Sequence, residues 1–277
     1  MIQDVFGLPV NLAAPFDFSF LGRYGRPFCV FDEQTSGNIA FGMQSEKYGK
    51  LLVKFAGAET INSRYAPEIA VQQLKSAAPL YDILRHPALV SPAGHGEVAG
   101  GYALIFRWTE GENLYSRKVK DRLRHQPQIV KLQALDRVFD FHLHCAQKGF
   151  VSVDFYDGSL MVDFATGRIA ICDIDLYRQQ PAVNDIGRMP GSARYLSPEE
   201  YELGAPLDSI TMQYTMGALA FDFLSRDGSR YADQWTSDPR LFDIATRATH
   251  PDRAQRYPGM GAFLSAWREA IRNATVY

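Results

Sequence analysis

Cysteine is scarce in this chain, with three in 277 residues. Cys29, Cys145 and Cys172 lie far apart, lack the paired spacing of a metal site and sit in apolar sequence, which reads as packed, reduced thiols and a cytoplasmic compartment. An excess of one charge is also missing. The 29 Lys and Arg nearly balance the 31 Asp and Glu, for a formal net charge of -2, and the basic residues are scattered, so nothing here attracts nucleic acid. No apolar run approaches the roughly 20 residues of a membrane-spanning helix, so no membrane partner is expected. The opening MIQDVFGLPVNLAAPF has no positive cluster and is broken by Asp4, Pro9 and Pro15, unlike a secretory signal. Repeats and low-complexity segments are absent too. What remains is an ordinary globular composition, 46% hydrophobic and 22% charged, enough for one domain or two small coupled lobes.

The first hundred residues read as β-rich. Apolar runs at 28–31, 38–43 and 51–55 are separated by the turn clusters Ser36-Gly37-Asn38 and Tyr48-Gly49-Lys50. One helix interrupts them at 67–75, where Ile69, Ala70 and Leu74 recur at helical spacing, with Pro67 in the first turn and Pro79 placed to kink or end the run. Another strand follows at 102–106. After Gly111 the chain turns mostly helical, with a long amphipathic stretch at 129–147 that stops at Gly149. Two short strands, 160–163 and 169–172, form a hairpin about Phe164-Ala165-Thr166-Gly167. A loop at 178–197 and helices near 208–224, 239–249 and 259–273 complete the pattern. Residues 115–128, rich in Arg, Lys and His, read as a solvated connector, with a docking surface as the alternative. The pattern is α+β: a small β lobe, about 16–108, then a helical lobe, about 109–277, joined near 107–111.

Several charged residues stand where the pattern calls for apolar ones. Lys54 lies inside the strand Leu51-Leu52-Val53-Lys54-Phe55 and must snorkel, pair with an acid or meet an anionic ligand. Glu68, in the first turn of the predicted helix, is a candidate partner. Asp154 follows the long helix in Val151-Ser152-Val153-Asp154-Phe155-Tyr156-Asp157-Gly158-Ser159, and Asp173 and Asp175 follow the second hairpin strand in Ile171-Cys172-Asp173-Ile174-Asp175. Carboxylates at the ends of buried strands are costly unless they bind a cation, and two such sites flanking one hairpin point to a shared Mg²⁺. Asp157 and Asp163 are also accounted for as turn formers.

This order of strand lysine, helix glutamate, aspartate loop, hairpin and second aspartate continues into Gly191-Ser192-Ala193-Arg194-Tyr195-Leu196-Ser197-Pro198-Glu199. It resembles the protein-kinase superfamily, and in particular small bacterial kinases of the eukaryotic serine/threonine type, over residues 28–270. The last segment resembles the G-T-x-x-Y-x-A-P-E end of an activation segment, Asp208 resembles the aspartate that opens a buried helix, and Arg256 of His250-Pro251-Asp252-Arg253-Ala254-Gln255-Arg256 resembles the arginine that pairs with the A-P-E acid, here Glu199. The resemblance implies a two-lobed kinase-like fold and ATP with Mg²⁺. It implies Asp154 as catalytic base and Lys54, set by Glu68, on the phosphates. Gly37 and Ile39 would belong to the phosphate-covering loop, Phe106 would gate the adenine pocket, and the backbone of Arg107 and Thr109 would hold the adenine edge. Asp173 would bind metal, with Ser159, Asp157 and Asp175 as further oxygen ligands.

The pattern also departs from the family. Of the glycine-rich loop only Gly37 survives, and Asp32 adds a negative charge there. Ser152-Val153-Asp154 replaces H-R-D, Ser159 replaces the metal-binding Asn, Tyr156 stands in the place of a lysine that steadies the transferred phosphate, and Asp173-Ile174-Asp175 replaces D-F-G. A protein serine/threonine kinase is the leading expectation, with a protein as phosphate acceptor. A pseudokinase that binds or scaffolds, and an aminoglycoside-type small-molecule phosphotransferase, are the rivals. The sequence leaves the oligomeric state open.

Overall fold

A computed structural model describes residues 1–274 of the chain. The described chain divides into two compact units, one formed by residues 1–85 with 90–109, the other by 86–89 with 110 onward.

The first unit opens with a hairpin of β1 (Ile2–Val5) and β2 (Leu8–Asn11), turned at Phe6 and Gly7, both at positive φ. Its main sheet contains β3 (Arg26–Phe31), β4 (Asn38–Ser45), β5 (Gly49–Ala56), β6 (Pro92–Val98) and β7 (Gly101–Arg107) in the order β3-β4-β5-β7-β6, with every neighbour antiparallel. The helix α1 (Pro67–Ile83) crosses over between β5 and β6. It runs through Pro79 rather than ending there, because losing one backbone N–H is offset by a buried face of Ala70, Leu74, Ala77, Ala78 and Tyr81.

Cross-strand register assigns the two sheet faces. Ile39 pairs with Phe55 and Phe41 with Val53, and these side chains enter the core with Met43, Leu51 and Ala103. Val5, Val10, Leu12, Phe18, Phe20 and Leu21 from the N-terminal segment cover this face. Phe18 meets Phe41 at 5.4 Å and Phe20 meets Phe55 at 4.8 Å between ring centroids. On the opposite face Ala40 pairs with Lys54, Lys54 with Leu104, and Leu52 with Phe106. Tyr81 of α1 packs on Phe106 at 4.8 Å. The sheet is therefore the middle layer of three.

The second unit is mainly helical. Its elements in chain order are β8 (Glu112–Asn113), α2 (Arg117–Arg124), α3 (Gln128–Gln147), β9 (Phe150–Val151), β10 (Leu160–Asp163), β11 (Arg168–Ile171), β12 (Arg178–Gln179), β13 (Ala182–Val183), β14 (Pro206–Leu207), α4 (Ser209–Leu224), α5 (Pro239–Ala248) and α6 (Met260–Ala274). The hairpin β10–β11 matches expectation and gains β8 on its outer edge. Residues 115–128, expected to be a connector, contain α2, held by buried Val119 and Leu123. α4 is apolar on nearly every side and fills the unit's centre. Asp208 caps it, its side chain accepting from the N–H of Ile210 and Thr211. Phe139 of α3 and Phe263 and Trp267 of α6 pack at 5.1–5.2 Å to close the core. The thiol of Cys145 is buried and its pKa is raised by that burial. Among the described residues no helix is long and apolar enough to cross a membrane.

Candidate functional site

In the first unit Lys54 is 9% exposed. The register surrounds it with Ala40, Leu52 and Leu104 on one face, with Phe106 beyond. An ammonium at the rim of an apolar floor suits a ligand with a flat apolar body and an anionic tail. Ala40, Leu52 and Leu104 were not anticipated as lining residues, although alternation along β4, β5 and β7 does single them out.

Three expectations for this unit need correction. Ile39 shares a face with Phe55 and lies in the hydrophobic core, so Ala40 is the residue that faces the Lys54 side. A glycine-loop alignment anchored on Gly37 therefore runs one residue out of register with the sheet. Glu68 is exposed in the first turn of α1, on the opposite side from a buried face that bears no carboxylate. Among the described residues it enters no ion pair, so the expected Lys54–Glu68 pair is not formed. Asp32 does not project toward a ligand. It is 7% exposed and accepts hydrogen bonds from the backbone N–H of Asn11 at 2.6 Å and from its side-chain amide at 3.1 Å.

The loop that follows is tied down as well. The N–H of Arg64 donates to the Thr35 carbonyl at 3.0 Å. Gly37, at φ +81, lies so close to Ser63 that a Cβ would come within 2.7 Å of its hydroxyl. At the end of β7 the N–H of Arg107 donates to Ser91 O at 2.9 Å. Thr109 is half-buried two residues on. Trp108 packs edge-on to Phe28 at 5.0 Å, and its indole N–H is buried with no protein acceptor.

The second unit supplies the carboxylates. Asp154 holds φ +60, a left-handed backbone that Asp tolerates better than most residues and that costs about 1 kcal/mol or more. Gly191 lies beside it, at φ +126, where a Cβ would stand 3.6 Å from Asp154 Oδ1 and 3.1 Å from Leu196. Burial, with the negative charges of Asp154, Asp173 and Asp157, pushes the Tyr156 phenol up to about 12. The same electrostatic neighbourhood therefore holds three carboxylates and one protonated phenol.

The expected metal ligands differ in position. Asp173 is exposed just beyond β11, and the N–H of Asp175 donates to its Oδ1 at 3.4 Å in a local turn. Asp157 is 4% exposed and opens a 3-10 turn, as expected of a turn former, while its carboxylate is ion-paired to Lys120 of α2, which draws it away from the expected ligand set. Asp163 does form a turn, accepting from Ala165 N–H at 2.9 Å and Thr166 Oγ1 at 2.6 Å. Ser159 is buried, and its hydroxyl donates weakly to the Asp154 carbonyl at 3.5 Å. Among the described residues no three His, Cys, Asp or Glu side chains gather as a metal cage. Mg²⁺ needs none, since it is commonly held by one or two carboxylates together with phosphate oxygens and water.

Beyond Gly191 the segment ends in a buried ion pair. Glu199, 3% exposed, receives two parallel hydrogen bonds from Arg256 at 2.7 and 3.0 Å and a third from Arg253 at 3.0 Å. The two arginines hold its carboxyl below the usual range despite its burial. Tyr195 donates from its hydroxyl to buried Asp222 of α4 at 2.7 Å, and Arg124 and Arg194 neutralise the same carboxylate. Residues 191–199 are thus fastened to the helical core at both Tyr195 and Glu199.

No protein-family model matches the chain. It is 25% identical over 166 residues to the serine/threonine-protein kinase pkn2 of Myxococcus xanthus, an alignment covering 56% of this chain and 19% of that protein. The aligned part thus spans about a fifth of the relative's length, and the similarity is a distant one to a kinase.

Proposed function

We propose that the chain is a kinase-like phosphotransferase that uses ATP and Mg²⁺ to phosphorylate a serine or threonine hydroxyl of a protein. The observation that carries this reading is the segment 191–199, locked by the Glu199–Arg256 pair and bringing Gly191 against Asp154. A carboxylate beside a rigid, glycine-opened segment is suited to an acceptor hydroxyl carried on a polypeptide. Asp154 orients that hydroxyl and takes its proton. Lys54 holds the α- and β-phosphates, and the carbonyl of Arg107 with the backbone of Thr109 holds the adenine edge. Asp173 holds Mg²⁺, which neutralises phosphate charge when bound. Catalysis on this scheme is mainly positioning and charge neutralisation.

A pseudokinase reading has its own support in exposed Glu68 and in the diversion of Asp157 to Lys120. One pair of measurements separates the two. Mg-ATP at about 100 times its Kd should stabilise the chain by about 2.7 kcal/mol, and Lys54→Met should abolish the shift. Radiolabelled phosphate should also pass to a generic acceptor protein and stop with Asp154→Asn while the shift persists. A shift without transfer selects the pseudokinase, and no shift at all sinks both.

A further inference from the structure

Two of the five cations of α2 are drawn inward. Arg117, Lys118 and Arg122 are exposed, whereas the Arg124 side chain is 11% exposed against Asp222 and the Lys120 side chain is 15% exposed, with its partner Asp157 at 6%. Attraction in such a pair only partly offsets the cost of taking both ions out of water, so stability alone does not explain it. Its location is more informative. Asp157 opens the single 3-10 turn, Asp157–Ser159, that follows Asp154. That turn is fastened at three other points: Asn113 donates to Gly158 O at 2.8 Å, Cys172 N–H donates to Ser159 O at 2.9 Å, and Ser159 Oγ donates to Asp154 O at 3.5 Å. The left-handed backbone of Asp154 persists only where its surroundings over-determine it.

We propose that Lys120 is a positioning residue for Asp154: by binding Asp157 it pins the turn behind Asp154 and cancels one negative charge beside it. It thereby provides from α2 a cation that the loop itself lacks, since the loop carries Tyr156 where a lysine would be expected. The lysine sits 37 residues upstream of its partner, which is why no local motif reveals it. The inference rests on the phosphotransferase reading and names the group that sets its catalytic loop.

The test uses the full chain, Mg-ATP and a generic acceptor protein. Lys120→Met should lower kcat about 100-fold, as a misplaced catalytic group does. The KM for ATP and the Mg-ATP melting shift should stay within about twofold, because neither reports on Asp154. Lys120→Arg should restore most of the rate. The double variant Lys120→Met, Asp157→Asn should be no slower than Lys120→Met, because both changes remove one shared contact. The role is overturned if Lys120→Met turns over like the wild type, if rate, melting temperature and nucleotide response all collapse together in both Lys120 variants, or if the two losses add. A wild-type chain that transfers no phosphate defeats the phosphotransferase reading and the Lys120 role with it. Transfer indifferent to Lys120 defeats the Lys120 role alone.

Discussion

Arg256 is fully buried and spends its guanidinium on Glu199 and on the carbonyls of His250, Ile210 and Pro251. Removing one partner of such a pair strands the other charge. Arg256→Met should therefore cost about 3–5 kcal/mol, toward the lower end because Arg253 still reaches Glu199. Urea denaturation would measure it, and a loss below about 1 kcal/mol would mean that the pair is not what holds the segment. This contact was anticipated because the segments 191–199 and 250–256 resemble two kinase motifs whose acid and arginine pair. Lys120–Asp157 was not, since neither residue is unusual in its own neighbourhood and only the packing of α2 against the loop brings them together.

At the scale of elements, the strands β4, β5, β7, β10 and β11 and the helices α3 to α6 follow directly from apolar periodicity and glycine punctuation. The misses have physical reasons. The β1–β2 hairpin turns at Phe6-Gly7 rather than at an Asn-Gly signal. β6 carries Pro92, Gly94 and Gly96, which read as loop but are tolerated on an edge strand. The facing of Ile39 depends on cross-strand register, which one strand's sequence does not fix. Asp32 illustrates the consequence. If it repelled phosphate, Asp32→Ala would tighten ATP binding. Because it anchors Asn11, the substitution should instead lower stability by about 1 kcal/mol by leaving a partly buried N–H without its acceptor, with no gain in the nucleotide-induced melting shift. A tighter nucleotide response at unchanged stability would reverse the assignment.

For the whole molecule, two buried groups of opposite sign carry large displacements between pH 4 and 7. Burial lowers His142 from 6.5 to about 4, with its Nδ1 facing the Val138 carbonyl and its Nε2 facing the Tyr177 hydroxyl. The unfolded chain takes up that proton first, so stability is lost as pH falls from about 6.5 to about 4. Burial raises Glu200 from 4.5 to about 7, although Ser197 donates both its N–H and its hydroxyl to it. Here the unfolded chain gives up the proton first, so stability is lost as pH rises from about 4.5 to about 7. Each displacement is worth on the order of 3 kcal/mol across its window, so the two largely cancel where the windows overlap. Glu200→Gln should unmask the histidine: urea midpoints should climb steeply from pH 4.5 to 6.5 in the variant and stay nearly level in the parent. Parallel profiles would remove Glu200 from the account.

The apolar cover laid over the sheet by the first twenty or so residues has an implication for biosynthesis. Those side chains leave the ribosome early, yet the surface that shelters them is not complete until β7 has been made, some eighty residues later. Phe16, Phe18 and Phe20 must therefore wait in water or in the grip of a chaperone, and slowed translation across the intervening stretch would be expected to raise aggregation of the nascent chain.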